Sequence, residues 1–154
     1  MVTKKTTPFT EADYKKEVSS ELKDGRVLNA FLLIHSYIES YLTEWILISG
    51  EGGFSKEITD KISRKQISEL ILIHRIVGNI NEQLYSRLIK ISRFRNKITH
   101  ELATIEIGDN KTVEDIKRKT EEGIDICGEI FKLYKKSIDE RAKKIESEKN
   151  FFLL

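Results

Sequence analysis

One cysteine, one proline, one methionine and one tryptophan in 154 residues remove several classes of protein at once. Cys127 has no partner for an internal disulfide, which fits a reducing compartment; set among Gly-Ile-Asp-Ile-Cys-Gly, it reads as a small core residue. Pro8 is the lone proline and the eight glycines fall in few places, so long helices can run without interruption. Long apolar runs are also missing. The best, residues 30–34 and 70–73, are each followed by a histidine and stop far short of the roughly 20 residues of a membrane span. The first nine residues have no apolar signal core, and the expectation is a soluble, cytoplasmic protein with no membrane partner. Single-sign charge is scarce as well. Twenty-seven basic against 25 acidic side chains leave a net charge of +2, so any nucleic-acid surface must be local. The three scattered histidines give no zinc spacing, and there is no glycine-rich phosphate loop, nucleophile elbow or His-Glu-x-x-His helix. No metal and no cofactor are expected.

What is present is helical periodicity over one domain. Thr10 with Asp13 predicts a first helix start, and Gly25 is a candidate break. Over residues 26–49, Leu28, Phe31, Leu32, Ile38, Leu42, Trp45 and Ile46 form one stripe, stopped by Gly50-Glu51-Gly52-Gly53. Residues 55–77 predict a short helix and then a second over 65–77, ending at Gly78-Asn79. Asn81 caps a helix over about 82–103, with Leu84, Leu88, Ile91, Phe94, Ile98 and Leu102 inward. Gly108-Asp109-Asn110 reads as a turn. Thr112 with Asp115 opens a last helix that turns Val113, Ile116, Ile124, Cys127, Ile130, Phe131, Tyr134 and Ile138 inward. Residues 104–107 are β-branched but too short for more than a loop or a single bridge. The fold class is an all-α bundle of four to six helices, core 10–140, with 141–154 a projecting helix end and apolar tail.

Polar residues stand where apolar ones are expected. His35 and Glu39, one turn apart, interrupt the apolar stripe of 26–49, and Arg95 lies beside Leu88, Ile91 and Leu102 on the core side of its helix. An ionised group on a core face needs a partner, so Glu39 is expected to meet Arg95, with His35 close by. That pairing admits two compatible readings: a buried tie that fixes helix register beside a satisfied core histidine, or a support that orients Arg95 for phosphate. Asn96, Thr99 and His100 share a flank with Tyr85, Ile89 and Ser92. Arg95 and His100, five apart, diverge on one straight helix, whereas Arg93 and His100, seven apart, share a face. A site built from Arg95 and His100 therefore needs a kink or a second copy of the chain.

The hexad Arg95-Asn96-Lys97-Ile98-Thr99-His100 resembles the Arg-x(4–6)-His motif of the HEPN superfamily, compact α-helical domains often found as RNA-cleaving toxins or defence effectors. The wider pattern looks closest to the mannitol-operon-repressor-like branch. There an early His-Ser-Tyr-(Ile)-Glu-like segment (His35-Ser36-Tyr37-Ile38-Glu39) is followed by a Phe–Lys segment (Phe54-Ser55-Lys56). Next come an apolar helix with a glycine turn (Ile76-Val77-Gly78-Asn79-Ile80) and the Arg-Asn-Lys helix. The resemblance covers about residues 27–102. Thr99 replaces a frequent alanine, and Leu102 stands where one toxin branch carries the tyrosine that a partner modifies.

The resemblance implies metal-independent RNA cleavage. His100 would exchange a proton at the 2′-hydroxyl or the leaving 5′-oxygen, Arg95 would brace the phosphate oxygens, and Asn96 would hold the imidazole or the phosphate. Glu39 and His35 are supporting residues, and Arg93 and Lys97 would carry the RNA backbone. The implied partners are a second copy, RNA, and an antitoxin or regulatory protein. The alternative is a non-catalytic dimeric module of the repressor-like kind, which binds protein or nucleic acid at the same surface. Residues 135–149 are mostly charged and end in Phe151-Phe152-Leu153-Leu154, an apolar terminus expected to associate with the core, a second subunit or a partner.

Overall fold

The computed structural model describes residues 11–50, 53–101 and 109–151. These form helices α1 (Glu11–Lys23), α2 (Val27–Ser49), α3 (Lys56–Ser63), α4 (Ile67–Ile76), α5 (Glu82–Glu101) and α6 (Asn110–Phe151), with no strand among the described residues. The all-α expectation holds, at its upper count of six. Thr10, Leu102, residues 104–107, Gly108 and the last three residues of the tail lie outside the described residues.

Local chemistry explains where the helices stop. Gly25 does break the first helix from the second. It sits at φ +74°, its N–H bonds to Leu22 O, and Arg26 N–H reaches Glu21 O at 2.9 Å. This pair of reversed bonds satisfies the last carbonyls and needs a left-handed residue that glycine adopts without a Cβ clash. Gly78, at φ +80°, ends α4 in the same way, with bonds to Arg75 O and from Asn79 N–H to His74 O. Asn81 caps α5 as expected, its Oδ1 accepting from Leu84 N–H at 2.8 Å. The start of α6 differs from the expectation. Asp109, not Thr112, is the cap: its carboxylate accepts from Lys111 N–H at 3.2 Å and from the Thr112 hydroxyl at 3.1 Å. A carboxylate one residue before the first turn reaches the free N–H groups, so the predicted turn is itself the helix start.

α2 is the axis of the bundle and contacts each of the other five helices. Its partners along α6 advance in step: Ile34 near Gly123, Tyr41 on Phe131, Trp45 on Tyr134, and Gly50 O with Arg141. The two helices therefore run parallel. α5 runs the other way, since Phe31 meets Phe94 edge-on at 5.2 Å while Ile34 and Ile91 converge above Gly123. α1 is antiparallel to α2 as well, with Tyr14 beside Tyr41 and Glu17 accepting from the Tyr37 hydroxyl at 2.7 Å. The predicted stripe on α2 is buried at Phe31, Ile38, Leu42, Trp45 and Ile46, each such side chain contributing about 1.5–3 kcal/mol. Cys127 is fully buried, as its setting suggested. Ile138 corrects the expected inward set: it is 38% exposed although the register sets it level with the last turn of α2, so that turn alone does not cover it.

Candidate functional site

The hexad occupies the last two turns of α5. The buried side of α5 changes along its length. Leu84, Leu88, Ile91 and Ser92 define it early; further on, Ile98, with Phe94 half-buried, moves it to a neighbouring side. Arg95 lies at the angle of Leu88 and Ile91, so this swing takes it off the seam and into solvent. Asn96, His100, Arg93 and Lys97 are exposed too, and Thr99 is half-buried. A cluster of three basic residues, an amide and a histidine thus projects from one helix end.

The expected ion pair between Glu39 and Arg95 is not formed. The register of α2 on α5 explains this. Phe31 opposite Phe94 places Arg95 level with the start of α2, and Glu39 is eight residues beyond Phe31, about 12 Å along the axis. Glu39 instead lines a polar groove with Ser36, Ser40, Thr43, Glu44 and, from α3, Ser63. Arg95 Nη1 donates to the Oδ1 of Asn96 at 3.3 Å, so Asn96 engages the arginine rather than His100. Thr99 Oγ1 turns back onto the carbonyls of Arg95 and Asn96 at 3.0 and 3.1 Å, which fixes its side chain to the helix.

His35 does lie close to Arg95, but it is not a satisfied core histidine. The ring is 5% exposed, it sits beside Phe31, and its Nε2 has no hydrogen-bond partner. Burial, reinforced by the positive charge of Arg95, pushes its pKa down to about 4. His35 is therefore neutral at pH 7. It cannot act as an anion site, and it leaves Arg95 as the cation nearest the seam.

Within one chain Arg95 and His100 remain apart, about 140° around the helix and 7–8 Å along it. Each alone can contact a phosphate from solvent. Jointly they need a substrate that wraps the helix end or a second copy that supplies the missing half.

Two structural residues escaped the sequence reading. His74 is fully buried, its ring tilted against that of Trp45 with centroids 4.8 Å apart, and bonded by Nε2 to Leu42 O at 2.8 Å and by Nδ1 to the Asn79 amide at 2.9 Å. The carbonyl takes a proton and the amide gives one, so the ring is neutral with its hydrogen on Nε2; burial lowers its pKa in keeping. Asn79 five residues after a histidine on an apolar helix was the available signal. Arg87 on α5 pairs with Asp125 and, at 2.8 Å, with Glu129 on α6. The acidic pair four apart on α6 marked that tie in the sequence, but not its partner.

Among the described residues, no group of three or more His, Cys, Asp or Glu side chains could hold a metal ion, and no helix is long and apolar enough to cross a membrane. No protein-family model, no curated protein and no solved structure matches the chain. The HEPN resemblance therefore stands on the hexad and the segments upstream of it.

Proposed function

We propose that the chain is a metal-independent endoribonuclease of the HEPN type, acting as a toxin or defence effector, with its site assembled from two copies. The observation that carries the reading is the exposure of Arg95, Asn96, His100, Arg93 and Lys97 together at the end of α5.

The RNA supplies its own nucleophile. The 2′-hydroxyl attacks phosphorus, the bond to the 5′-oxygen breaks, and the products are a 2′,3′-cyclic phosphate and a 5′-hydroxyl, so DNA is spared. His100 of one copy takes the 2′ proton and His100 of the other protonates the leaving oxygen. Arg95, steadied by Asn96, faces the non-bridging oxygens as charge builds. Arg93 and Lys97 hold flanking phosphates. His35, neutral behind Arg95, adds no second positive charge there.

The competing reading is a non-catalytic HEPN-like module that binds a protein or nucleic acid through the same surface. The separation of Arg95 and His100 in one chain favours it.

One experiment divides the two: labelled single-stranded RNA in EDTA with wild type and His100→Ala. Cleavage by wild type alone, leaving cyclic phosphate ends, supports the ribonuclease. A folded wild type that leaves several RNAs intact overturns it in favour of the binding module.

A further inference from the structure

α6 is 42 residues long, and α2 stops beside its Arg141, whose Nη2 donates to the Gly50 carbonyl at 2.5 Å. Beyond that contact the helix continues for ten residues, about 15 Å. The side of α6 that packed on α2 continues too: Ile138 lies level with the last turn of α2, and Ala142 and Ile145 follow it beyond the contact, at steps of four and three. Ile138 is 38% exposed and Ile145 is 45% exposed. An apolar face at coiled-coil spacing thus extends past the helix that covers its lower part.

We infer that this arm pairs with the same arm of a second copy, antiparallel, about a two-fold axis at Ile145. Direction follows from sterics. In a parallel pair the partner's helix, followed back from Ile138, would run into the place that α2 already fills. An antiparallel partner enters from the Phe151 side and meets the end of α2 only with its own last turn, since a two-fold at Ile145 sets its position 149 level with Arg141. Charge fits the same direction. Arg141 and Glu148 lie on one edge of the stripe, nearly equal distances either side of Ile145, so the two-fold brings each Arg141 against the other copy's Glu148. The other edge carries Ala142 and Lys149, whose stem covers apolar surface while its head stays in water. Pairs of this length fall at the small end of protein interfaces, which fits a reversible association.

The arm stands at the end of the bundle where α2 finishes, and Arg95 stands where α2 begins, so this contact does not build the ribonuclease site and is independent of that reading. Where both contacts form, they link copies into larger assemblies.

Cysteine crosslinking of the full chain tests the arm. Cys127 is fully buried and eighteen residues from position 145 on one helix, so it does not compete. Under mild oxidation at micromolar concentration, Ile145→Cys is expected to form a disulfide between chains at least about tenfold faster than Ser147→Cys on the opposite side. Adding Arg141→Glu should slow the Ile145→Cys reaction severalfold. Adding Glu148→Arg as well should restore it; the two positions are about 10 Å apart on one helix, so restoration requires two chains. Equal rates at positions 145 and 147 overturn the proposal, as does a rate insensitive to Arg141→Glu or one that the double reversal leaves slow. Ribonuclease activity, measured on Ile145→Glu, is expected to persist whichever result is obtained if the α5 site is correct.

Discussion

His35 on α2 is buried within the electrostatic reach of Arg95 on α5, and the two share no hydrogen bond. This relationship makes stability depend on pH. The unfolded chain binds a proton at His35 near pH 6.5, but the native chain does so only near 4. Stability is therefore complete above 6.5, declines as the pH falls, and levels off near 4; the depression corresponds to roughly 3 kcal/mol. His74, lowered by its own burial, adds to the same slope. Glu21 and Glu69 are depressed and act below this window, and Glu44, raised by burial, opposes it weakly. Urea titrations of wild type at pH 7.5 and 5 should show the loss, and His35→Phe should make it distinctly smaller. Equal slopes in the two proteins would remove His35 from the account.

Arg95→Ala should leave folding almost untouched. The guanidinium is exposed and bonds only to the neighbouring Asn96 among the described residues, so the expected change is within about 0.5 kcal/mol. Glu39→Gln should be additive with it, because the two groups lie at different levels of the bundle. A coupling above about 1 kcal/mol in that double-mutant cycle would restore the buried tie. RNA cleavage by Arg95→Ala, in contrast, should fall by about 100-fold or more.

The distinction between tie and projection was not legible in the sequence. Helical spacing correctly located α2, the cap at Asn81 and the break at Gly78, because each depends on residues within one or two turns. It placed Arg95 on the core side of α5 for a sound reason: on an ideal straight helix it shares the angle of Leu88 and Ile91. What spacing cannot contain is the path of one helix across another. The buried side of α5 swings toward Phe94 and Ile98 as it crosses α2, and Arg95 is left outside. Register failed for the same reason, since the offset between Glu39 and Arg95 is set by Phe31 meeting Phe94. Ile138 shows the converse: it lies on the stripe that periodicity marks, but spacing along one helix does not say how many neighbours pack at its level, and there the last turn of α2 leaves it 38% exposed.

Gly123 makes the crossing possible. A Cβ there would lie 3.0 Å from Ile34 Cγ2 and 3.0 Å from Ile91 Cδ1, on two different helices. Gly123→Ala gains about 1 kcal/mol in helix propensity but overpacks the junction by about 1–3 kcal/mol, so a net loss of about 1 kcal/mol is expected. Ile91→Val removes the Cδ1 methyl and should recover much of the loss when combined with Gly123→Ala. Thermal melts of the four proteins in the cycle check this; a stabilising single alanine would mean that the helices separate without cost.

Arg87 should matter more than an ordinary surface cation. Its side chain is 25% exposed and binds Asp125 and Glu129, which are one turn apart on α6. Arg87→Met removes both pairs, worth about 1 kcal/mol together in a partly exposed setting. It also leaves two like charges facing each other at i,i+4, a further cost of about 0.2–0.5 kcal/mol. Adding Glu129→Gln relieves that repulsion, so the double variant should be more stable than Arg87→Met alone. Both differences should shrink in 1 M salt, where exposed charges more than about 3 Å apart are screened. Denaturation midpoints of the three proteins at low and high salt make the comparison. A loss that persists unchanged in salt would assign the role of Arg87 to the packing of its methylene stem between α5 and α6.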